Sequence, residues 1–338
     1  MPHLDVFNGN AFSLLSLTAA VNKTLYVPGR IERMALFNSR GVATTDIDIE
    51  ERRGTLALVP TTPRGAPGTG NVRDRRKLRK LSIPRLLVPD SVYASEVQNV
   101  RAFGTESETQ TVMGVLNEKV DRARNNIDAT KEYHRVGAIK GVIYDSDGTS
   151  LIYNLYTEFE VTQTVIDFEL DNANTEVLLK CMQTRRAIND ALGAVPMTGI
   201  YAFCGTNFFD SLVAHSKVKT AYQYFQQSGQ MNNPLRQDLG YVGFTFGGIT
   251  FEEYRGTVGG VDFIPDNDAY AFPLGVPNLF ETVYAPADYE ETVNQIGLPL
   301  YVKTAPDPSG FDRFRQVEIS TYPLSYCTRP ESCIRLTI

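Results

Sequence analysis

The segment Gly65–Val72, GAPGTGNV, carries two glycines at the spacing of a phosphate-binding loop of the form G-x-x-x-x-G-K-[ST], and Thr55–Val59 ahead of it has the composition of the strand such a loop follows. That loop needs a lysine to reach the β- and γ-phosphates and a hydroxyl to hold Mg²⁺. Asn71 and Val72 stand in those two places, so phosphoryl transfer has neither its cation nor its metal ligand. Asp46, Asp48 and Glu50 alternate in DIDIE and share one face of a strand, with Ile47 and Ile49 on the other. No glycine turn or further oxygen ligands follow them, which favours a solvated strand face over a metal. The DSDG of residues 145–148 opens like a calcium loop, yet its twelfth position is Tyr156 and not glutamate, so a hairpin turn is expected.

Histidine and cysteine chemistry is equally sparse. Of three histidines, His134 and His215 fall in helical segments without a nucleophile or a metal partner in register, and neither G-x-S-x-G nor H-E-x-x-H occurs. The four cysteines, Cys181, Cys204, Cys327 and Cys333, form no C-x-x-C, so no zinc site and no obligatory disulfide is expected, only buried reduced thiols. No catalytic residue, metal or cofactor is expected.

Charge is the remaining signal. Arg64, Arg73, Arg75, Arg76, Lys77, Arg79, Lys80 and Arg85 face the single acid Asp74, so this stretch carries +7 and the rest of the chain −13 to reach the net −6. An acidic chain of pI about 5.3 is a poor dedicated nucleic-acid binder. Separated charge of this kind suits contact between like subunits. The expected contact sets the basic residues Arg64, Arg73, Arg75, Arg76, Lys77, Arg79 and Lys80 against the acids Glu96, Glu106, Glu108, Glu118 and Asp121 of a neighbour.

The elements that must position these residues follow from pattern. At 338 residues with 42% hydrophobic content the chain has the size and composition of a globular protein of about two domains. The N-terminus lacks a basic region before its short apolar stretch, and no apolar run reaches the length of a membrane span. DIDIE is expected to pair with Thr55–Val59 through an ERRG turn, and LSIPRLLV to return as a further strand, which makes 45–85 a long β-loop. Ser107–Gln110 has the form of a capping box, and Val112, Leu116, Val120, Ala123 and Ile127 then repeat at helical spacing until Gly137 and Gly141 close the helix. A hairpin is expected over 142–161, helices over 174–192 and 207–225, and a strand at GIYAFCG between them.

FTFGGITFEEYRG (244–256), VDFIPDNDAYAFPLGVPNLFETVYAPAD (261–288), the terminal RPESCIRL and the early block from LTAAVNKTLYVPGR to TTPRGAP together resemble the major capsid protein E family of lambda-like tailed phages, in the family's order and over nearly the whole chain. The resemblance implies an α+β chain with the Hong Kong 97 capsid fold. Its parts would be an N-terminal arm at 1–44, an extended E-loop at 45–85, a peripheral domain with a spine helix (107–136) at 86–161, an axial domain at 162–300, and a return to the peripheral domain at 301–338. It implies a structural subunit of the virion that self-assembles as hexamers and pentamers into an icosahedral shell around double-stranded DNA, contacted non-specifically, in the bacterial host cytoplasm. The implied partners are a separate scaffolding protein, a portal and, optionally, a decoration protein, with no membrane. Lys77 and Lys80 lie in the loop that some relatives cross-link, but no residue specifies an isopeptide partner. The alternative from the same fold is an encapsulin-like nanocompartment shell.

Overall fold

In the computed structural model, the described residues are 29–52, 76–97, 112–193, 195–227, 243–258 and 260–338. Its longest element is the helix Val112–Lys140. Leu116, Val120, Ala123 and Ile127 form the buried stripe expected from their spacing, joined by Val115. The stripe packs on Val92, Val302, Val317 and Ile319 of a three-stranded antiparallel sheet made by Leu86–Tyr93, Phe314–Thr321 and Tyr301–Pro306. Past Ile127 the helix changes character, because every residue from Lys131 to Ile139 is buried. This end passes between sheets and not over one face.

The helix also runs beyond its expected end near 136. Gly137 lies inside it, where a Cβ would come within 3.0 Å of Val142 O and 3.1 Å of Ile143 Cα, so its role is close packing. Gly141 alone closes the helix, at φ +77°, with Tyr156 Cε2 2.3 Å from where a Cβ would stand. The expected capping box at 107–110 lies outside the described residues.

The acid-bearing strand Asp46–Arg52 pairs antiparallel with Arg76–Ser82, from Asp46 opposite Ser82 to Arg52 opposite Arg76. The expected partner, Thr55–Val59, lies outside the described residues, and the basic run is itself the second strand of this ribbon. Side-chain alternation explains the pairing. Ile47 lies opposite Leu81, both buried, while Asp48 lies opposite Lys80 on the other face.

The hairpin after the helix is shorter than expected. Val142–Tyr144 pairs with Leu151–Asn154 around the DSDG turn, where Asp147 Oδ1 accepts from the Thr149 and Ser150 N–H groups at 2.9 and 2.8 Å. Asn154 then caps a one-turn helix, Leu155–Glu158, its Oδ1 accepting from the Tyr156 and Thr157 N–H groups, and this stops the strand.

A six-stranded mixed sheet follows, in the order Val165–Asp167, Ile334–Thr337, Asp268–Leu274, Gly199–Cys204, Ile249–Glu253, Gly243–Phe246. GIYAFCG is apolar throughout because both faces of its strand are covered. Ile200, Ala202 and Cys204 meet the helices Val177–Leu192 and Thr206–Ala214, while Phe203 meets the buried end of the long helix. The single helix expected over 207–225 is two, Thr206–Ala214 and Ser216–Gln227. His215 adopts an extended backbone between them, its Nε2 3.1 Å from Asn172 O and its Nδ1 accepting from the Lys217 N–H at 3.3 Å. The chain's last segment divides. Tyr301–Pro306, Phe314–Thr321 and Pro323–Cys327 lie in three-stranded sheets, the last paired with Phe280–Tyr284, whose other side pairs with Asn38–Gly41, whereas Ile334–Thr337 enters the six-stranded sheet between Val165–Asp167 and Asp268–Leu274.

Candidate interaction surface

Among the described residues no group of three or more His, Cys, Asp or Glu is placed to hold a metal ion, and no helix is long and apolar enough to cross a membrane. His134 is buried, and desolvation pushes its pKa down to about 4, so it is neutral at ordinary pH. A groove of about 660 Å³ is walled by Asp90, Glu96, Lys119, Tyr289, Lys303 and Glu318. Its charges are already paired with one another or with neighbours: Lys119 Nζ lies 2.8 Å from Glu96 and 3.3 Å from Asp90, and Tyr289 donates to Glu318 at 3.1 Å.

The expected contact residues are placed as follows. Arg79 points to the inner face of the ribbon, where its Nη2 donates to Phe159 O at 3.1 Å and its guanidinium lies 5.4 Å from the Phe159 ring centre, with Glu160 Oε1 at 3.9 Å. Lys80 Nζ is 3.0 Å from Asp46 Oδ2 on the outer face. Their hydrogen bond raises the lysine pKa and lowers that of the carboxyl. Arg85 Nη2 donates to Glu318 at 2.6 Å. Glu96 is engaged by Lys119, while Glu118 and Asp121 lie on the exposed side of the long helix. Arg76 and Lys77 belong to the ribbon strand; Arg64, Arg73, Arg75, Glu106 and Glu108 lie outside the described residues. None of these ion pairs joins an expected basic residue to an expected acid within the chain.

The acidic face of DIDIE thus finds a cation in its own ribbon. Sequence spacing could not show this, because the two strands are separated by more than twenty residues.

A second constellation was not foreseen. Arg30, at the start of a short helix Arg30–Arg33, donates from Nε to Glu252 Oε1 at 2.7 Å and from Nη2 to Tyr201 Oη at 2.9 Å, and Tyr201 Oη also bonds Glu252. One turn on, Glu132 of the long helix accepts from the Ile31 N–H at 2.7 Å and from Tyr254 Oη at 3.2 Å. Burial raises the Glu132 pKa. Arg135 pairs with Glu32 and lies 5.8 Å from the Phe37 ring centre. Gly29 lets the Glu132 carboxylate come close to the backbone, since a Cβ there would lie 2.6 Å from Glu132 Cδ and would push that side chain aside. The residues 29–37 are therefore clamped to both the long helix and the six-stranded sheet. The sequence signal was limited to PGRIER, whose charges carry no pointer to their partners.

Large apolar side chains remain in solvent on the single chain. Leu178, Leu179 and Met182 are 50, 55 and 39% exposed on one helix, Val293 and Ile296 63 and 69% exposed on the segment before Tyr301, and Phe311 is 70% exposed. Such groups on a folded chain mark surface that a partner covers when they are contiguous.

A family model described as phage major capsid protein E matches residues 13–338. The major capsid protein of Pseudomonas phage KPP10 is 27% identical over 342 residues, spanning 96% of this chain and 97% of the relative. That of Salmonella phage Felix O1 is 28% identical over 352 residues, spanning 95% and 94%. Among solved structures, the putative capsid protein of a prophage of E. coli CFT073 superposes with TM-score 0.63 at 13% identity over 96% of this chain and 98% of that one. The capsid structure of cyanophage P-SCSP1u gives TM-score 0.54 at 12% identity over 93% and 89%. These likenesses establish the Hong Kong 97-type capsid fold, an α+β architecture.

Proposed function

The chain belongs to the phage major capsid protein E family, and on that premise we propose that its copies assemble as hexamers and pentamers into an icosahedral head enclosing double-stranded DNA. The observation that carries this reading is the family match over residues 13–338, because it takes in every element described above. Exposed Leu178, Leu179 and Met182 support it, since a shell subunit buries such groups against its neighbours.

In this reading 1–44 is an arm and 45–85 a loop that lie on neighbouring subunits, 86–161 and 301–338 form most of the peripheral domain, and 162–300 forms the axial domain. The ribbon 46–52/76–82 fits the loop's base: a two-stranded ribbon is marginal alone and gains by covering another surface. The basic run ahead of Arg79 and Lys80 docks on acidic surface around Glu118 and Asp121 of a neighbour. A scaffolding protein and a portal direct closure, a decoration protein is an optional addition, and the DNA is touched without sequence preference. The finished particle is the virion head, built in the host cytoplasm.

Co-expression with the scaffold and electron microscopy of the sedimented fraction tests the reading. Closed shells of uniform size are expected, and phage-derived particles are expected to release genome-length double-stranded DNA. A protein that stays monomeric or dimeric under those conditions refutes the shell. Particles filled with a protein cargo and free of DNA would instead assign the chain to a nanocompartment.

A further inference from the structure

Sequence spacing suggested no thiol pairing, yet the structure places Cys327 Sγ 4.0 Å from Cys333 Sγ, both sulfurs buried in the same hydrophobic cluster. Cys181 and Cys204 lie in a different cluster. Cys327 ends the strand Pro323–Cys327 of a three-stranded sheet, and Cys333 immediately precedes Ile334–Thr337 of the six-stranded sheet. The pair therefore sits at the crossing from one sheet to the other.

The approach of the sulfurs is held by the backbone on both sides. A single 3-10 turn, Pro330–Ser332, folds the chain back, with the Ser332 N–H donating to Arg329 O and the Cys333 N–H to Pro330 O, both at 3.0 Å. Arg329 Nη1 donates to Leu192 O at 2.8 Å, and the Thr328 N–H donates to Leu279 O at 2.8 Å. A disulfide needs its sulfurs about 2.05 Å apart, so closure brings the two sulfurs about 2 Å nearer than they stand.

We propose that Cys327 and Cys333 are a dithiol site for peroxides, oxidised to an intrachain disulfide that staples the crossing between the two sheets. One sulfur, as thiolate, attacks a peroxide oxygen. An S–O bond forms, the O–O bond breaks, and the departing oxygen leaves as water after taking a proton. The second sulfur attacks the resulting sulfenic acid, the S–S bond forms, the S–O bond breaks, and a second water leaves. Two thiols lose two electrons, and the peroxide gains them. Burial raises the Cys327 thiol well above its ordinary pKa, which keeps it protonated and makes the first step slow. The site accordingly stays reduced in a reducing compartment and responds to sustained exposure.

Trypsin releases residues 316–335 as one peptide, because Arg329 precedes proline, so both cysteines are read together. The full-length protein is incubated with hydrogen peroxide while circular dichroism confirms that it stays folded, then alkylated in denaturant and mapped without reduction. Expected is this peptide lacking two hydrogens and refusing alkylation, restored by dithiothreitol, while Cys181 and Cys204 alkylate as free thiols. Cys333→Ser should abolish the cross-link, but the wild-type map decides without it. Recovery of the peptide with both thiols free, as separate sulfinic or sulfonic acids, or as a bridge between two copies of the chain overturns the assignment.

Discussion

Arg30 and Glu252 stand 222 positions apart in the chain, and the guanidinium of one meets the carboxylate of the other at 2.7 Å through Nε and 2.5 Å through Nη2. Glu252 is buried, while Arg30 keeps a fifth of its side chain in solvent. Removing one member of such a pair leaves a desolvated charge without compensation. Glu252→Ala is expected to lower the stability of the unassembled subunit by about 3 kcal/mol, read from the urea midpoint. A loss below about 0.5 kcal/mol would show that water replaces the carboxylate without penalty.

His134 supplies a pH dependence. Its pKa falls from the ordinary 6.5 to about 4 on burial, with Asp145 opposing only in part. The unfolded chain therefore binds this proton more readily, so the contribution is complete above pH 6.5 and is lost as pH falls toward 4. That loss is about 3 kcal/mol over the interval. His134→Leu should flatten the stability profile between pH 6.5 and 4 relative to the parent. Parallel profiles for the two proteins would mean that the imidazole is protonated inside the fold.

Gly141 holds the end of the long helix at φ +77° against the Tyr156 ring. Gly141→Ala adds both a left-handed alanine and a methyl where the ring stands, and is expected to cost about 2 kcal/mol or more. Combining it with Tyr156→Phe should recover little, since the clash is with ring carbons as well as the hydroxyl. Full recovery by that variant would locate the conflict at the hydroxyl alone.

Arg79 and Lys80 are engaged within the subunit, Arg79 by Phe159 and Glu160 and Lys80 by Asp46, so the docking proposal rests on the residues before them. Replacing Arg75, Arg76 and Lys77 together with glutamate should leave the subunit folded by circular dichroism while shell yield falls and its salt dependence changes. By contrast, Arg79→Ala removes a hydrogen bond to Phe159 O and a ring contact inside the subunit, and should lower subunit stability by about 1 kcal/mol. Normal assembly of the triple variant with unaltered salt response would leave the run as solvated charge.

What the sequence determined by itself was whatever local pattern encodes. Leu116, Val120, Ala123 and Ile127 gave the buried face of the long helix, Asp147 and Gly148 the hairpin turn, and the apolar run at 199–204 a strand, because each depends on neighbours within a few positions. The ordered motifs from 244 to 336 pointed to the family for a related reason: order along a chain survives where individual residues do not.

Only the tertiary structure decided the rest. The partner of DIDIE was the basic run, since burying Ile47 against Leu81 also sets Asp46 and Asp48 beside Lys80. The helix expected over 207–225 is interrupted at His215, whose ring meets Asn172 O across a loop. Glu132 met the Ile31 N–H, and Cys327 met Cys333, where separate elements were pressed together. Contacts between such elements follow from how whole sheets and helices bury their faces, and no residue spacing along the chain records that outcome.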